Sequence, residues 1–219
     1  MTKISTVLLR LREVVESVTY VGDFLLSVNK FSHCWVFIDE LWTKHTDSYG
    51  LIESSLKIAF QNLLAEYGSF TVFSAGSHTG TSEEELPMYK IADDAIKGLK
   101  NNSIEMLRVI LDLNASSELR HAIHPSKYGK YVGVFAFSLH TDLITELVNN
   151  LRSRGCDVVA IVTLIERDKV SRKNLSDLGI KLIPLIVVDD ISGRPQTILE
   201  TTELPYRDMH KYFQDTVKK

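Results

Sequence analysis

Apolar positions recur along the chain with two different periods. Ile4, Val7, Leu8, Leu11, Val14, Val15 and Val18 fall at helical spacing and predict an amphipathic opening helix. The next stretch, VGDFLLSVNKFSHCWVFIDE, predicts two short strands about a turn near Asn29–Lys30. Leu51, Ile52, Leu56, Ala59, Phe60, Leu63 and Leu64 share one face of a second helix, LIESSLKIAFQNLLAEYG. Asp47 and Ser48 stand where they can cap it, and Gly68 where it should stop.

FTVFSAGSHTG reads as a short apolar strand over about residues 70–74 and then a small-residue loop. The following segment begins polar and acidic (SEEEL) and turns helical at DDAIKGLK, and IEMLRVILDL predicts another strand. NASSELRHAIHPSKYGK has no strong period, and a connection of that length is often a lid or a binding loop. YVGVFAFS predicts a buried strand and LITELVNNLRSRG the helix after it. CDVVAIVTLIE is a β-branched central strand, and SRKNLSDLG is a short helix with a glycine stop. IKLIPLIVVDD is a strand whose Pro184 calls for an edge position or a bulge. PYRDMHKYFQDTV predicts a closing helix opened by Pro205.

Strands separated by helices give a βαβ rhythm, hence an α/β fold with a mainly parallel sheet flanked by helices. No repeat or linker divides residues 1–219, so one domain is expected: a small helix-and-hairpin hood over 1–45 and an α/β core over 46–219. Ligands of such sheets gather at the carboxyl ends of the strands. Here those ends are SAGSHTG, SLHTD and IERDK.

Composition narrows the function classes. The chain is 44% hydrophobic and 24% charged, which supplies a core and argues against disorder. Its net charge is -3, with no Lys/Arg run, so no basic field points to nucleic acid. No stretch approaches the ~18 apolar residues of a membrane span, and Arg10, Arg12 and Glu13 interrupt the opening apolar run, unlike a signal peptide. A soluble, cytoplasmic protein is expected. Cys34 and Cys156 read as free thiols rather than a disulfide framework. His121 and His124 offer too few ligands for zinc, so no metal site is expected from spacing.

Four segments together resemble the type I phosphoribosyltransferases, and most closely the orotate phosphoribosyltransferases. YVGDFLLSVNKFSHCWVFID resembles that family's opening hairpin, and LLAEYGSFTVFSAGSHTG its pyrophosphate-binding strand and loop. LRSRGCDVVAIVTLIERDKVSRKNLSDLGIKLIPLIVVDD follows its last two strands, including an R-G turn and a stretch like IDR…LxxLGI. The resemblance covers nearly the full length. It implies transfer of ribose 5-phosphate from phosphoribosyl pyrophosphate to a base nitrogen, with Mg2+ assisting the leaving group, and a homodimer.

The same resemblance locates candidate residues. Ser74, Ala75, Gly76, Ser77, His78 and Thr79 stand where the family holds pyrophosphate, with an ordinary turn as the competing reading. Ser138, His140, Thr141 and Asp142 stand at its phosphate turn, where Thr141 and Asp142 serve better as a helix cap. Arg167 is carried over from the pattern, against a surface ion pair. Arg120, His121 and His124 lie in the stretch that corresponds to the mobile catalytic loop, and Trp35 is a base-stacking candidate in the hairpin.

The family's signature departs at one place above all. Its two adjacent carboxylates, which hold the ribose hydroxyls, fall on Phe135 and Ala136, and neither side chain can accept a hydrogen bond. The small glycine-containing turn becomes Leu139-His140-Thr141-Asp142, and the hairpin lysine aligns with Ser27. An intact core pattern with a degenerate donor site implies a catalytically impaired relative that senses nucleotides, regulates, or binds a protein partner, including in a heteromeric assembly. The alternative is an active phosphoribosyltransferase or N-glycosidic-bond enzyme with an unusual donor site, using Mg2+.

Overall fold

The computed structural model describes residues 3–27, 30–36, 40–41, 45–77, 87–100, 102–111, 129–137, 141–166, 169–188 and 194–197. Helix α1 (Lys3–Ser17) forms as its spacing predicts: Leu8, Leu11, Val14, Val15 and Val18 are all buried on one side. Strands β1 (Thr19–Ser27) and β2 (Lys30–Val36) pair antiparallel as a separate two-stranded sheet, closing at Ser27 opposite Lys30.

Helix α2 (Ser48–Tyr67) starts at the expected place, by different chemistry. Asp47 is the N-cap residue but its side chain makes no capping bond; its carboxylate accepts from Arg10 Nε at 3.4 Å. The Ser48 hydroxyl instead donates to the carbonyls of Leu41 and His45, each at 2.7 Å, tying the helix start to the chain before it. Gly68 ends α2 at φ +78°, a conformation that glycine adopts without a Cβ clash.

Strand β3 runs Phe70–Ser77, longer than expected: pairing with β4 (Ile104–Leu111) carries it through Ser77 opposite Leu111. Hydrogen bonding to a neighbour outweighs the turn preference of the small residues in SAGS, because sheet propensity depends on context. Helix α3 (Pro87–Leu99) also starts earlier than DDAIKGLK, with Pro87 at its first position, where its missing N–H costs nothing. The remaining elements are β5 (Lys130–Phe137), α4 (Thr141–Ser153), β6 (Asp157–Glu166), α5 (Lys169–Asp177), β7 (Lys181–Val188) and β8 (Pro195–Thr197). The predicted closing helix lies outside the described residues.

The main sheet has the order β4-β3-β5-β6-β7-β8, parallel except for β8, so the α/β expectation holds. Among the described residues β8 pairs only with Ile186–Val188, so β7 has no partner on that side where Pro184 sits, and the proline denies no ladder bond there. One face of the sheet packs on α1, α2 and α3 through residues such as Val15, Phe60, Ile91, Val134 and Val162. The other packs on α4 and α5 through Phe73, Ile161, Leu182, Val148 and Leu175. The first charged helix layer carries surface pairs such as Glu53–Lys57 and Glu66–Lys181, each worth only a little in water.

Phe73, Gly133, Ile161 and Leu182 lie in one register row across four strands. Gly133 is required there by packing: an added Cβ would stand 2.6 Å from Ile161 Cδ1, 2.8 Å from Phe135 Cε2 and 2.9 Å from Phe73 Cζ. The rings of Phe73 and Phe135 meet edge to face over it, with centroids 6.0 Å apart at 79°. Such a pair adds ~0.5–1.5 kcal/mol beyond the area it buries. Gly133→Ala forces those rings apart and is expected to destabilise the protein by about 1–3 kcal/mol. Equilibrium denaturation checks this; an unchanged midpoint contradicts the packing described.

Candidate functional site

The strand order fixes where a crevice can open. From β3 the chain leaves through α3 to β4 on one side, then returns as β5 on the other side of β3, and β6 and β7 continue away. That is a topological switch point between β3 and β5, the place at whose carboxyl end open α/β sheets bind ligands. The last residues of β3 and β5 and the start of α4 bound this crevice.

Ser74, expected at the end of the strand, lies within β3 opposite Arg108 and is only 3% exposed. Ala75, Gly76 and Ser77 likewise belong to the strand by their pairing, up to the crevice edge. On β5, Phe135 is half-buried and its ring meets that of Phe73 edge to face, among residues that pack under α4 and α5. Ala136 packs on the opposite face, against the layer of α1, α2 and α3. The two positions that should bear the carboxylate pair therefore serve both faces of the core.

Helix α4 begins at Thr141, with β5 ending at Phe137. Thr141 and Asp142 are its first two residues, so the helix N-terminus lies directly after the strand, with the unpaired N–H groups and partial positive charge of every such end. Beside Phe135, in register on β6, stands Thr163. Its residue is wholly buried, and its hydroxyl has no hydrogen-bond partner among the described residues.

The end of β6 holds a feature that the sequence reading passed over. Glu166, the last residue of the strand, is 1% exposed, and its two carboxylate oxygens accept from Arg172 Nε at 3.0 Å and Nη2 at 2.5 Å. A forked contact of this kind is the geometry in which a guanidinium best compensates a buried carboxylate. A signal was present: a carboxylate closing a long apolar strand needs a buried partner, and Arg172 follows within the next helix. Arg172 also donates to the Leu182 carbonyl on β7 at 3.4 Å, so the side chain joins β6, α5 and β7.

Trp35 lies on β2 opposite Tyr20, in the hairpin sheet and not in the main one. His78, Thr79, Arg120, His121, His124, Ser138, His140 and Arg167 lie outside the described residues. Among the described residues no group of three or more His, Cys, Asp and Glu side chains can hold a metal ion. Nor do the described side chains at the crevice suit Mg2+: Phe135 and Ala136 bring no oxygen, and Glu166 is engaged by Arg172. Two phenols, Tyr49 and Tyr67, are pushed above their ordinary range, first by burial and then by hydrogen bonds to Asp94 and Glu66. Both lie on α2, and Tyr67 meets Lys130 at the amino end of β5, opposite the carboxyl ends that bound the crevice. No helix among the described residues is long and apolar enough to cross a membrane.

Comparison with solved structures decides the fold. The orotate phosphoribosyltransferase of Aeropyrum pernix superposes with a TM-score of 0.59 at 21% identity, over 83% of this chain and 95% of that one. The fold is that of a type I phosphoribosyltransferase. The orotate phosphoribosyltransferase of Mycobacterium tuberculosis H37Rv, solved in complex with 5-phospho-α-D-ribosyl 1-diphosphate, gives 0.56 at 18% identity, over 84% and 98%. The UMP synthase of Leishmania donovani gives 0.53 at 18%, over 94% of this chain and 38% of that one. No family model matches the sequence, and no curated protein matches it. The phosphoribosyltransferase fold thus stands on backbone geometry, at identities that carry the fold alone.

Within this fold, the buried pair at the end of β6 makes a measurable demand. Arg172→Met removes the forked partner of the buried Glu166 carboxylate and is expected to cost about 3–5 kcal/mol of stability. Combining it with Glu166→Gln should recover part of that loss. Denaturation of both variants checks this; a single variant as stable as the wild type refutes the role given to the pair.

Proposed function

We propose that this chain is a phosphoribosyltransferase-fold protein without transferase turnover, acting in the cytoplasm as a nucleotide-sensing, regulatory or partner-binding protein. The observation that carries the reading is the end of β5. The Phe135 and Phe73 rings pack edge to face, and Ala136 packs against the opposite helix layer. Transfer from a phosphoribosyl donor runs through an oxocarbenium-like state, and it needs charge and hydrogen bonds fixed about the ribose. Hydrocarbon at these two positions supplies neither.

Ligand binding itself remains supported by what the crevice retains. It has the switch point between β3 and β5 and the N-terminus of a long helix directly after β5, a combination suited to an anion. Assembly as a homodimer, or with a different protein chain, belongs to the same proposal.

The test is turnover. Purified protein supplied with orotate, phosphoribosyl pyrophosphate and Mg2+ should form no orotidine 5′-phosphate above the uncatalysed background, and adenine and uracil should fare no better. Product accumulating in proportion to protein concentration would overturn the proposal in favour of an active enzyme with an unusual donor site.

A further inference from the structure

Helices α4 and α5 cover the same face of the sheet, and a groove of about 550 Å3 runs between them. Thr145, Glu146, Asn149 and Asn150 line it from α4, and Asn174 and Asp177 from α5. Residues three and four apart share one side of a helix, so each set converges on the groove. Arg152 holds the two walls in place: its guanidinium donates to the carbonyls of Leu178, just past α5, at 2.8 Å and of Val158 on β6 at 3.0 Å. The groove begins one helical turn beyond the start of α4, and Leu178 is its one apolar lining residue.

The lining has a particular chemistry. Thr145, Asn150 and Asn174 are half-buried, yet their side chains have no hydrogen-bond partner among the described residues. Glu146 and Asp177 have no ion-pair partner among them either. Lys173, next to Asn174 in the chain, is exposed and does not line the groove. An asparagine amide accepts through its oxygen and donates through its nitrogen. A peptide unit presents the complementary N–H and C=O. The carboxylates add a negative charge to each wall, and Asp177 ends α5, where the helix terminus is itself partly negative.

Other ligands match this lining less well. A polyamine brings donors alone and leaves the amide NH2 groups unanswered. A nucleobase or a sugar ring finds no aromatic side chain to lie against.

We infer that the α4–α5 groove docks an extended, cationic peptide segment of a partner protein. The peptide main chain bonds the amides of Asn150 and Asn174. Basic side chains reach Glu146 on one wall and Asp177 on the other. Successive side chains of an extended chain point to opposite sides, so two adjacent lysines serve both walls. The groove is separate from the β3–β5 crevice, and the inference stands or falls apart from whatever that crevice binds or turns over.

The test is calorimetric titration of the full chain, at low salt, with acetyl-Ala-Ala-Lys-Lys-Ala-Ala-amide. This peptide is expected to bind about tenfold more tightly than spermidine or than the same peptide carrying Glu-Glu at its centre. Asp177→Asn should weaken the lysine peptide about tenfold by removing one charged partner. Asn174→Ala keeps the charge of the groove, so the weakening expected there reports the main-chain contact. Alanine favours a helix more than asparagine does, so its Tm should stay level or rise. Spermidine binding as tightly as the peptide, or peptide binding unchanged by Asn174→Ala, overturns the inference and leaves a simple attraction of cations to two carboxylates. Equal binding of the Glu-Glu peptide, or no binding at millimolar lysine peptide, overturns it as well.

Discussion

The carboxyl ends of this sheet depend on a side chain that is absent. Gly133 leaves the space in which Phe73 of β3 and Phe135 of β5 bring their rings together. That contact sits across the pair of strands at which the chain reverses its direction of travel through the sheet. Core packing at close to crystal density tolerates little adjustment, so the same contact also fixes what β5 can present at its end. At its end β5 divides its residues between the two faces, Phe135 toward Phe73 and Ala136 toward the layer of α1, α2 and α3.

A second constraint acts at the neighbouring strand. Glu166 ends β6 in near-complete burial, and its charge is matched by the guanidinium of Arg172 from α5. The pair is therefore committed to holding β6, α5 and β7 together, and it brings no free acid or base to the crevice. Polar capacity near β5 comes from the start of α4 and from the Thr163 hydroxyl.

Much of the fold could be read from the order of apolar runs. The βαβ rhythm gave the parallel sheet, the hairpin was placed about its turn, and Gly68 and Gly179 mark helix ends, each at positive φ. Boundaries failed where tertiary pairing overrode local preference: SAGS continues β3 because β4 lies beside it. Strand β8 escaped notice because three residues carry no period. At the candidate site, Phe135 and Ala136 could be read as hydrocarbon at the positions where the resemblance expects a carboxylate pair. Their packing could not, since the contact with Phe73 joins residues far apart in the chain. Glu166 and Arg172, only six residues apart, were each visible as a residue type, but their forked contact is made only once α5 folds beside the end of β6.

The central claim is that the fold persists without the donor chemistry that normally accompanies it. The most direct measurement is calorimetric titration of phosphoribosyl pyrophosphate into the purified protein, with and without Mg2+. The account predicts that Mg2+ changes nothing, because Phe135 and Ala136 bring no oxygen where a carboxylate pair would hold the ribose. Tightening of the complex by Mg2+ would contradict it and place a working donor site on this sheet.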